Sequence, residues 1–379
     1  LCLSVDRHRL ADGTRVGASM AGEGAMNRLD RYVAHNVMVA TLIVAVVIVG
    51  LDAIFTLVDE LDQLKGEYQF LDALQFMGTR LPRRLYEYMP MACLIGCLAG
   101  LGGMAASSEL TVMRASGVSV GRIAVAVIKP MMLLMALNMA LAEYAIPVLE
   151  RIAQSQKAVA QGKGDLLSNK GKGYWHREGN TFMRFTAVEP NGVLHGITLF
   201  DFDNDSNLQR IRSAERAIYQ RSSWQMQSVI DMTITDSATS QQQLDSLDWQ
   251  TELTPQSLSV VMIQPRDMSI STLFSYTRYL EKQGLNADNY LLSFWRKVPQ
   301  PLGTLALVIL GISFIFGPLR AVTPGYRIFS GILVGLVYKY AEELLAPASI
   351  VFGFEPLWAS VIPIAACMGV GLLLLRRAG

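Results

Sequence analysis

The chain is 379 residues long, 51% hydrophobic and only 17% charged, with a mean hydropathy of +0.30, a balance of polytopic membrane proteins rather than soluble enzymes. A formal net charge of +1 offers no electrostatic footprint for nucleic acid, and no nucleic-acid partner is expected. Of the four cysteines, Cys93, Cys97 and Cys367 fall in apolar segments and Cys2 in the leading tail, so the polar middle of the chain has neither a disulfide framework nor a zinc cluster.

Residues 1–25 are polar and Gly-rich, lack the apolar core of a signal peptide and read as an ill-ordered extension, with Met20 or Met26 as a candidate start. Residues 26–161 hold the first three spans. Val37 to Val58 makes a first span of about 22 residues, carrying Asp52. Asp59 to Tyr88 is mixed; Leu71, Leu74, Phe76, Met77 and Leu81 recur at helical spacing and predict a helix lying in the interface. Arg80, Arg83 and Arg84 end that stretch. A second span follows, about Leu85 to Met104, with Gly96, Gly100 and Gly103 as a small-residue face that permits close helix contact.

Between this span and the third, Val118 to Ile146, lies the polar stretch Ser107 to Gly117. Ser107 and Ser108 are candidate caps, Glu109 suits the positive end of a helix dipole and Gly117 suits its far end. Such a helix has about two turns, too short to be stable alone in water. It is expected to be braced by the neighbouring spans and docked against a partner. Glu143 sits near the far end of the third span, which Pro147 is predicted to break; Arg151 and Lys157 follow on a polar helical stretch.

Residues 162–265 change period from 3.6 to 2. Thr181 to Val188 and Val193 to Phe202 read as a hairpin around Pro190-Asn191-Gly192. Further short runs fall at Leu208 to Arg212, Ala214 to Gln220, Trp224 to Val229, Met232 to Thr235, Leu247 to Leu253 and Leu258 to Ile263. Many short strands of this kind predict an all-β sandwich or jelly roll. Residues 266–379 return to helix. Ser269-Ile270-Ser271 caps a helix stopped by Gly284. A helix from Asp288 then leads into a fourth span ending near Gly317, a fifth from about Ile328 to Leu345, a turn from Pro347 to Glu355, and a sixth from Pro356 to Leu375.

Arg28, Arg31, Arg114, Arg122, Arg320, Arg327, Arg376 and Arg377 gather on one side of this topology. The other side has Lys65, Arg80, Arg83 and Arg84 in its first loop and no Lys or Arg between Pro347 and Glu355. The positive-inside bias therefore predicts both termini and Ser107–Gly117 on the cytoplasmic side and the β domain outside. The fold class is thus membrane α-helical: six transmembrane helices in two groups of three around an inserted extracytoplasmic jelly-roll-like domain.

Catalytic motifs are missing. No Gly-x-x-x-x-Gly-Lys-Ser/Thr phosphate loop is present, and His8, His35, His176 and His195 are scattered with no His-Glu-x-x-His. His176 and His195 share the β domain, where surface histidines are ordinary, and no metal site is predicted. A lipid-modifying membrane enzyme would need a constellation the sequence lacks. A scaffold whose β domain only organises an assembly is a further reading.

With Ser108-Glu109-Leu110-Thr111-Val112-Met113-Arg114-Ala115-Ser116-Gly117 between the second and third of six spans, the chain resembles the LptF/LptG permease family, membrane subunits of the lipopolysaccharide exporter. Leu29-Asp30-Arg31-Tyr32 and Ser313-Phe314-Ile315-Phe316-Gly317-Pro318-Leu319-Arg320 resemble one branch of it, whose members pair with an LptF-type permease; the alternative is the paralogous LptF-type subunit itself. The resemblance covers about residues 28–379. It implies an inner-membrane permease half with no ATPase site and no cofactor of its own, ATP and Mg being used by a partner LptB-type ATPase dimer. It implies lipopolysaccharide as cargo, a periplasmic β domain, and LptC and LptA as the bridge onward. Glu109, Leu110, Met113 and Arg114 are then the ATPase-coupling residues. Arg80, Arg83, Arg84, Arg151 and Lys157 are candidates for contact with substrate phosphates. One departure stands out: the family pattern has a phosphate-facing lysine near the outer end of the first span, where this chain has Thr56. Arg80, Arg83 and Arg84 are the expected compensation.

Overall fold

The computed structural model describes the chain apart from residues 1–7, 63–68, 163–173, 189–191, 204, 206, 221–222, 236–237, 252, 254–263, 283–285, 318–321 and 379. Lys65, the run Leu258 to Ile263, Gly284 and Pro318-Leu319-Arg320 therefore lie outside the described residues. Two compact units form: Leu1–Ile48, Glu87–Met139 and Trp295–Gly379, and Val49–Tyr86 with Ala140–Phe294.

The helices are α1 (His8–Leu61), α2 (Phe70–Ala106), α3 (Glu109–Ala115), α4 (Val120–Ala140), α5 (Ile146–Gly162), α6 (Ile270–Lys282), α7 (Asp288–Lys297), α8 (Gln300–Phe316), α9 (Pro324–Phe352) and α10 (Pro356–Ala378). Among the described residues, Arg28–Leu61, Phe70–Ala106, Val120–Lys157 and Pro356–Arg377 are each long and apolar enough to cross a membrane; α7 and α8, bent by 43° at their junction, pass the same test only when taken together as one span. Helix α9 has 29 residues and carries Lys339, Glu342 and Glu343. The chain is thus a multi-pass helical membrane protein.

Several boundaries differ from expectation, and prolines and glycines account for most of the differences. Helix α1 runs from His8 to Leu61 with no proline to interrupt it. The predicted interfacial helix and second span are one helix, α2, started where Asp72 accepts the Gln69 N–H at 2.9 Å. The third span does not break at Pro147: a π-turn at Leu141–Ala145 precedes it. A proline ring clashes with the carbonyl four residues back, here Glu143, and the widened turn relieves that crowding. Helix α9 likewise runs through Pro347 and stops at Gly353, whose φ of 71° ends it.

In the first unit α2 is closely approached by its neighbours. A Cβ on Gly96 would lie 2.4 Å from Thr41 Cα, and one on Gly100 would lie 2.9 Å from Val37 Cα, so both must be glycine for α1 to pack there. Gly103, expected to share that face, has nothing within 4 Å.

In the second unit the strands β1 (Tyr174–Glu178), β2 (Thr181–Phe185), β3 (Ala187–Val188), β4 (Val193–Phe202), β5 (Leu208–Gln220), β6 (Ser223–Thr235) and β7 (Ala238–Trp249) form one antiparallel sheet of order β1-β2-β4-β5-β6-β7, with β3 beside β4. The expected hairpin is present as β2 and β3 on β4. Strand β1 was not anticipated, and two pairs of predicted short strands are the single long strands β5 and β6.

A crease runs across the sheet. The ladders skip Gly196, Glu215, Ser228 and Asp245, which stand in register across β4 to β7. Buried residues on the two sides of this line are three apart rather than two: Leu194 and Ile197, Ala214 and Ala217, Met226 and Val229. Gly196 and Ser228 take positive φ of 59° and 53° there. A Cβ on Gly196 would meet Thr186 Oγ1 at 2.5 Å. The inward face is buried: Phe185, Leu199, Trp224 and Trp249 belong to its core, and Trp224 Nε1 donates to Leu253 O at 2.8 Å. At one end of this same face Arg212, opposite Leu199, pairs with Asp201 at 2.7 Å, and Arg210 pairs with Asp231 across strands.

Candidate functional site

Helix α3 is held by its ends. Ser108, at its N-cap position, has φ 63° and makes no side-chain cap, so the predicted serine caps are not formed. Instead Ser107 Oγ donates to Glu109 Oε1 at 2.8 Å, and Tyr32 Oη donates to Glu109 Oε2 at 3.0 Å. The far end closes as foreseen at Gly117, with φ 91°: its N–H reaches Arg114 O at 3.0 Å, and Val118 N–H reaches Met113 O at 3.1 Å. That pair of bonds is the Schellman pattern. Just beyond, Arg122 grips Asp30 with both ends of its fork, Nε to Oδ1 at 3.1 Å and Nη2 to Oδ2 at 3.0 Å.

Leu110 and Met113 are buried within the chain, whereas Val112 is 67% exposed and Thr111 also faces out. The Arg114 guanidinium lies 6.0 Å from the Phe316 ring centroid. A cavity of about 510 Å³ is lined by Leu110, Thr111, Arg114, Ile315 and Phe316 among others. Thr111 and Val112 therefore face outward from α3 beside the partly exposed Glu109, while Leu110 and Met113 seat it.

The basic candidates lie in the second unit, and four of the five, Arg80, Arg83, Arg84 and Lys157, stand against an acid. Glu150, from α5, takes Arg80 Nη2 at 3.1 Å and Arg83 Nη1 at 3.5 Å. Arg83 Nε also reaches Asp267 Oδ1 at 2.8 Å. Lys157 pairs with Glu60 and lies 4.5 Å from the Phe76 ring, which Arg80 approaches at 5.1 Å. Arg84 Nε meets Asp52 at 3.1 Å and its Nη2 reaches Thr56 Oγ1 at 3.3 Å. The charge expected to stand in for a lysine at Thr56 thus lies directly on Thr56. Arg151 Nε is buried and makes no hydrogen bond among the described residues.

Burial lifts the Asp267 carboxyl to about 6; Arg83 pulls it down, Glu150 pushes it up, and Arg266 and Arg80 pull it down again. Next to it Glu143, inside the π-turn, accepts the Ile270 N–H at 2.9 Å at the start of α6, and Ser269 Oγ caps the Thr272 N–H at 3.1 Å. Sequence reasoning found the bases but missed Glu60, Glu150 and Asp267 as their partners. It also missed Tyr32, Asp30 and Arg122 as anchors of α3. The only available signal was the Leu29-Asp30-Arg31-Tyr32 run. Among the described residues no three His, Cys, Asp or Glu side chains gather to hold a metal ion.

Long apolar helices, a short braced helix and an inserted β domain fit a membrane permease subunit. A model of the family described as the lipopolysaccharide export system permease LptF/LptG matches residues 31–377, and the chain belongs to that family. It is 34% identical over 353 residues to lipopolysaccharide export system permease protein LptG of Escherichia coli strain K12, covering 92% of this chain and 98% of that protein. The Haemophilus influenzae LptG is also 34% identical, over 341 residues, 89% of this chain and 95% of the relative.

Proposed function

We propose that the protein is the LptG-type permease subunit of a lipopolysaccharide exporter in the inner membrane. The observation that carries this reading is the family match across 31–377, which includes α3, the β domain and the last helix. In this reading α9 completes six spans, α3 and both termini are cytoplasmic, and the sheet is part of a periplasmic jelly roll. The chain pairs with an LptF-type permease over an LptB-type ATPase dimer that uses ATP and Mg, and hands cargo to LptC and LptA. Glu109 and the outward face of α3 meet the ATPase. Arg84 at Thr56, with Arg80, Arg83, Arg151 and Lys157, supplies positive charge toward lipid A phosphates, competing with Asp52, Glu150 and Glu60 for them.

The core of the described sheet is closed: Trp224 is fully buried and Trp249 nearly so. Cargo passage along that face then needs the face to open, and the ATP-driven cycle is the source of that work.

The test is reconstitution of the four-subunit complex in proteoliposomes with lipopolysaccharide, following ATP-dependent release to the periplasmic bridge. Release that requires ATP, with ATPase lost from the purified complex on Glu109→Ala, is the expected result. A complex that retains the ATPase on Glu109→Ala and releases nothing with ATP would sink the reading.

A further inference from the structure

We propose that Tyr32 and Asp30 are positioning residues that tie α3 and the start of α4, respectively, to α1, so that displacement of α3 by a docked ATPase reaches the first span directly. This rests on the coupling role proposed for α3 above. The covalent route out of α3 changes direction at both ends: Ser108 and Gly117 each take a left-handed φ, of 63° and 91°, so α3 joins α2 and α4 through sharp turns. Two non-covalent links bridge those turns. Tyr32 holds Glu109 at the first turn of α3, and Asp30 holds Arg122 at the first turn of α4.

The two anchors are two residues apart on α1, so their side chains leave its axis about 200° apart and engage different elements. From Arg28 to Val49 the helix has no Gly or Pro, the residues at which helices bend most readily. Deeper in, that same rod packs through Val37 and Thr41 against Gly100 and Gly96 of α2. A push at Glu109 therefore enters a stiff helix that is seated against α2 by close contact.

Tyr32 is 47% exposed, and a surface hydroxyl on a surface carboxylate contributes little to folding. Its use is geometric: with Ser107 on Oε1 and Tyr32 on Oε2, the Glu109 carboxylate is fixed in orientation before any partner arrives.

The experiment uses the full reconstituted complex and reads two quantities: ATPase bound per permease, and lipopolysaccharide released per ATP hydrolysed. Tyr32→Phe is expected to leave the bound ATPase at the wild-type ratio and to lower release per ATP by about two- to thirtyfold, the range of coupling changes along such connections. Asp30→Arg and Arg122→Asp each lower it, and the double swap restores it. Release per ATP unchanged in Tyr32→Phe and Asp30→Arg overturns the proposal. So does loss of bound ATPase in Tyr32→Phe, which would make Tyr32 a docking contact instead. A wild-type complex with no ATP-dependent release fails at the functional reading itself and takes this proposal with it.

Discussion

The Arg83–Glu150–Asp267 cluster and the brace of Asp30–Arg122 and Tyr32–Glu109 both join helices distant in sequence, yet one is buried and the other half in solvent. In the cluster the side chains are 6%, 1% and 2% exposed; in the brace Arg122 and Asp30 are 31% and 29% exposed. Water decides what each can do. Buried charges that lose a partner are left uncompensated, so the cluster resists being pulled apart. Solvated charges exchange protein for water at small cost, so the brace can be broken and remade in a working cycle. The first arrangement suits a fixed joint and the second a moving one.

The largest effect expected from breaking this comparison is Arg83→Met, which strands Glu150 and Asp267 in a buried site. It should destabilise the protein by about 3–5 kcal/mol, seen as a fall in unfolding midpoint in detergent. The matched change in the brace, Arg122→Met, should cost less than about 1 kcal/mol by the same measurement. Equal losses at the two sites would mean that burial does not separate them.

Next in size is a pH effect confined to the cluster. Burial raises the Asp267 carboxyl from its ordinary value of 3.8 to about 6 even with Arg83 beside it. The folded protein therefore holds that proton more tightly than the unfolded chain does. The resulting stabilisation is complete below about pH 4 and is lost as pH rises through about 6, with a ceiling of about 3 kcal/mol. Asp267→Asn cannot titrate, so the difference in unfolding midpoint between wild type and variant should change across pH 4 to 6 and level off above it. A difference that stays constant over that window would show that Asp267 keeps an ordinary carboxylate pKa.

The helical part of the fold was readable because long apolar runs have few alternatives to spanning a membrane. Its joints were less so. Pro147 and Pro347 are helix breakers by local rule, and the chain overrides them with a π-turn at Leu141–Ala145 and with an apolar run continuing to Phe352. Period-2 alternation located the β domain but misdivided β5 and β6, and it gave no sign of the crease at Gly196, Glu215 and Ser228, which shifts the phase of burial within unbroken strands. At the candidate site, Arg80, Arg83 and Arg84 were visible as cations against the positive-inside bias, and Lys157 through the family resemblance. Their acids were not, since Glu150 lies 70 residues from Arg80 and Glu60 lies 97 from Lys157. Glu109 was found from its motif, while the meaning of Tyr32 in Leu29-Asp30-Arg31-Tyr32 needed the 3.0 Å contact that joins the two motifs.

The smallest expected effect is also the one that sharpens the comparison most. A double-mutant cycle on Asp30 and Arg122, read as unfolding free energy, should give a coupling below about 1 kcal/mol, because both side chains are about a third exposed. The same cycle on lipopolysaccharide released per ATP should give a clear coupling, with either single change harmful and the swap restored. Stability and transmission are then separate quantities at this pair, since a bond worth little to folding still links α1 directly to α4. A stability coupling as large as that of the Arg83 cluster would instead make the brace a second fixed joint. Motion of α3 would then have to pass along the covalent turns at Ser108 and Gly117.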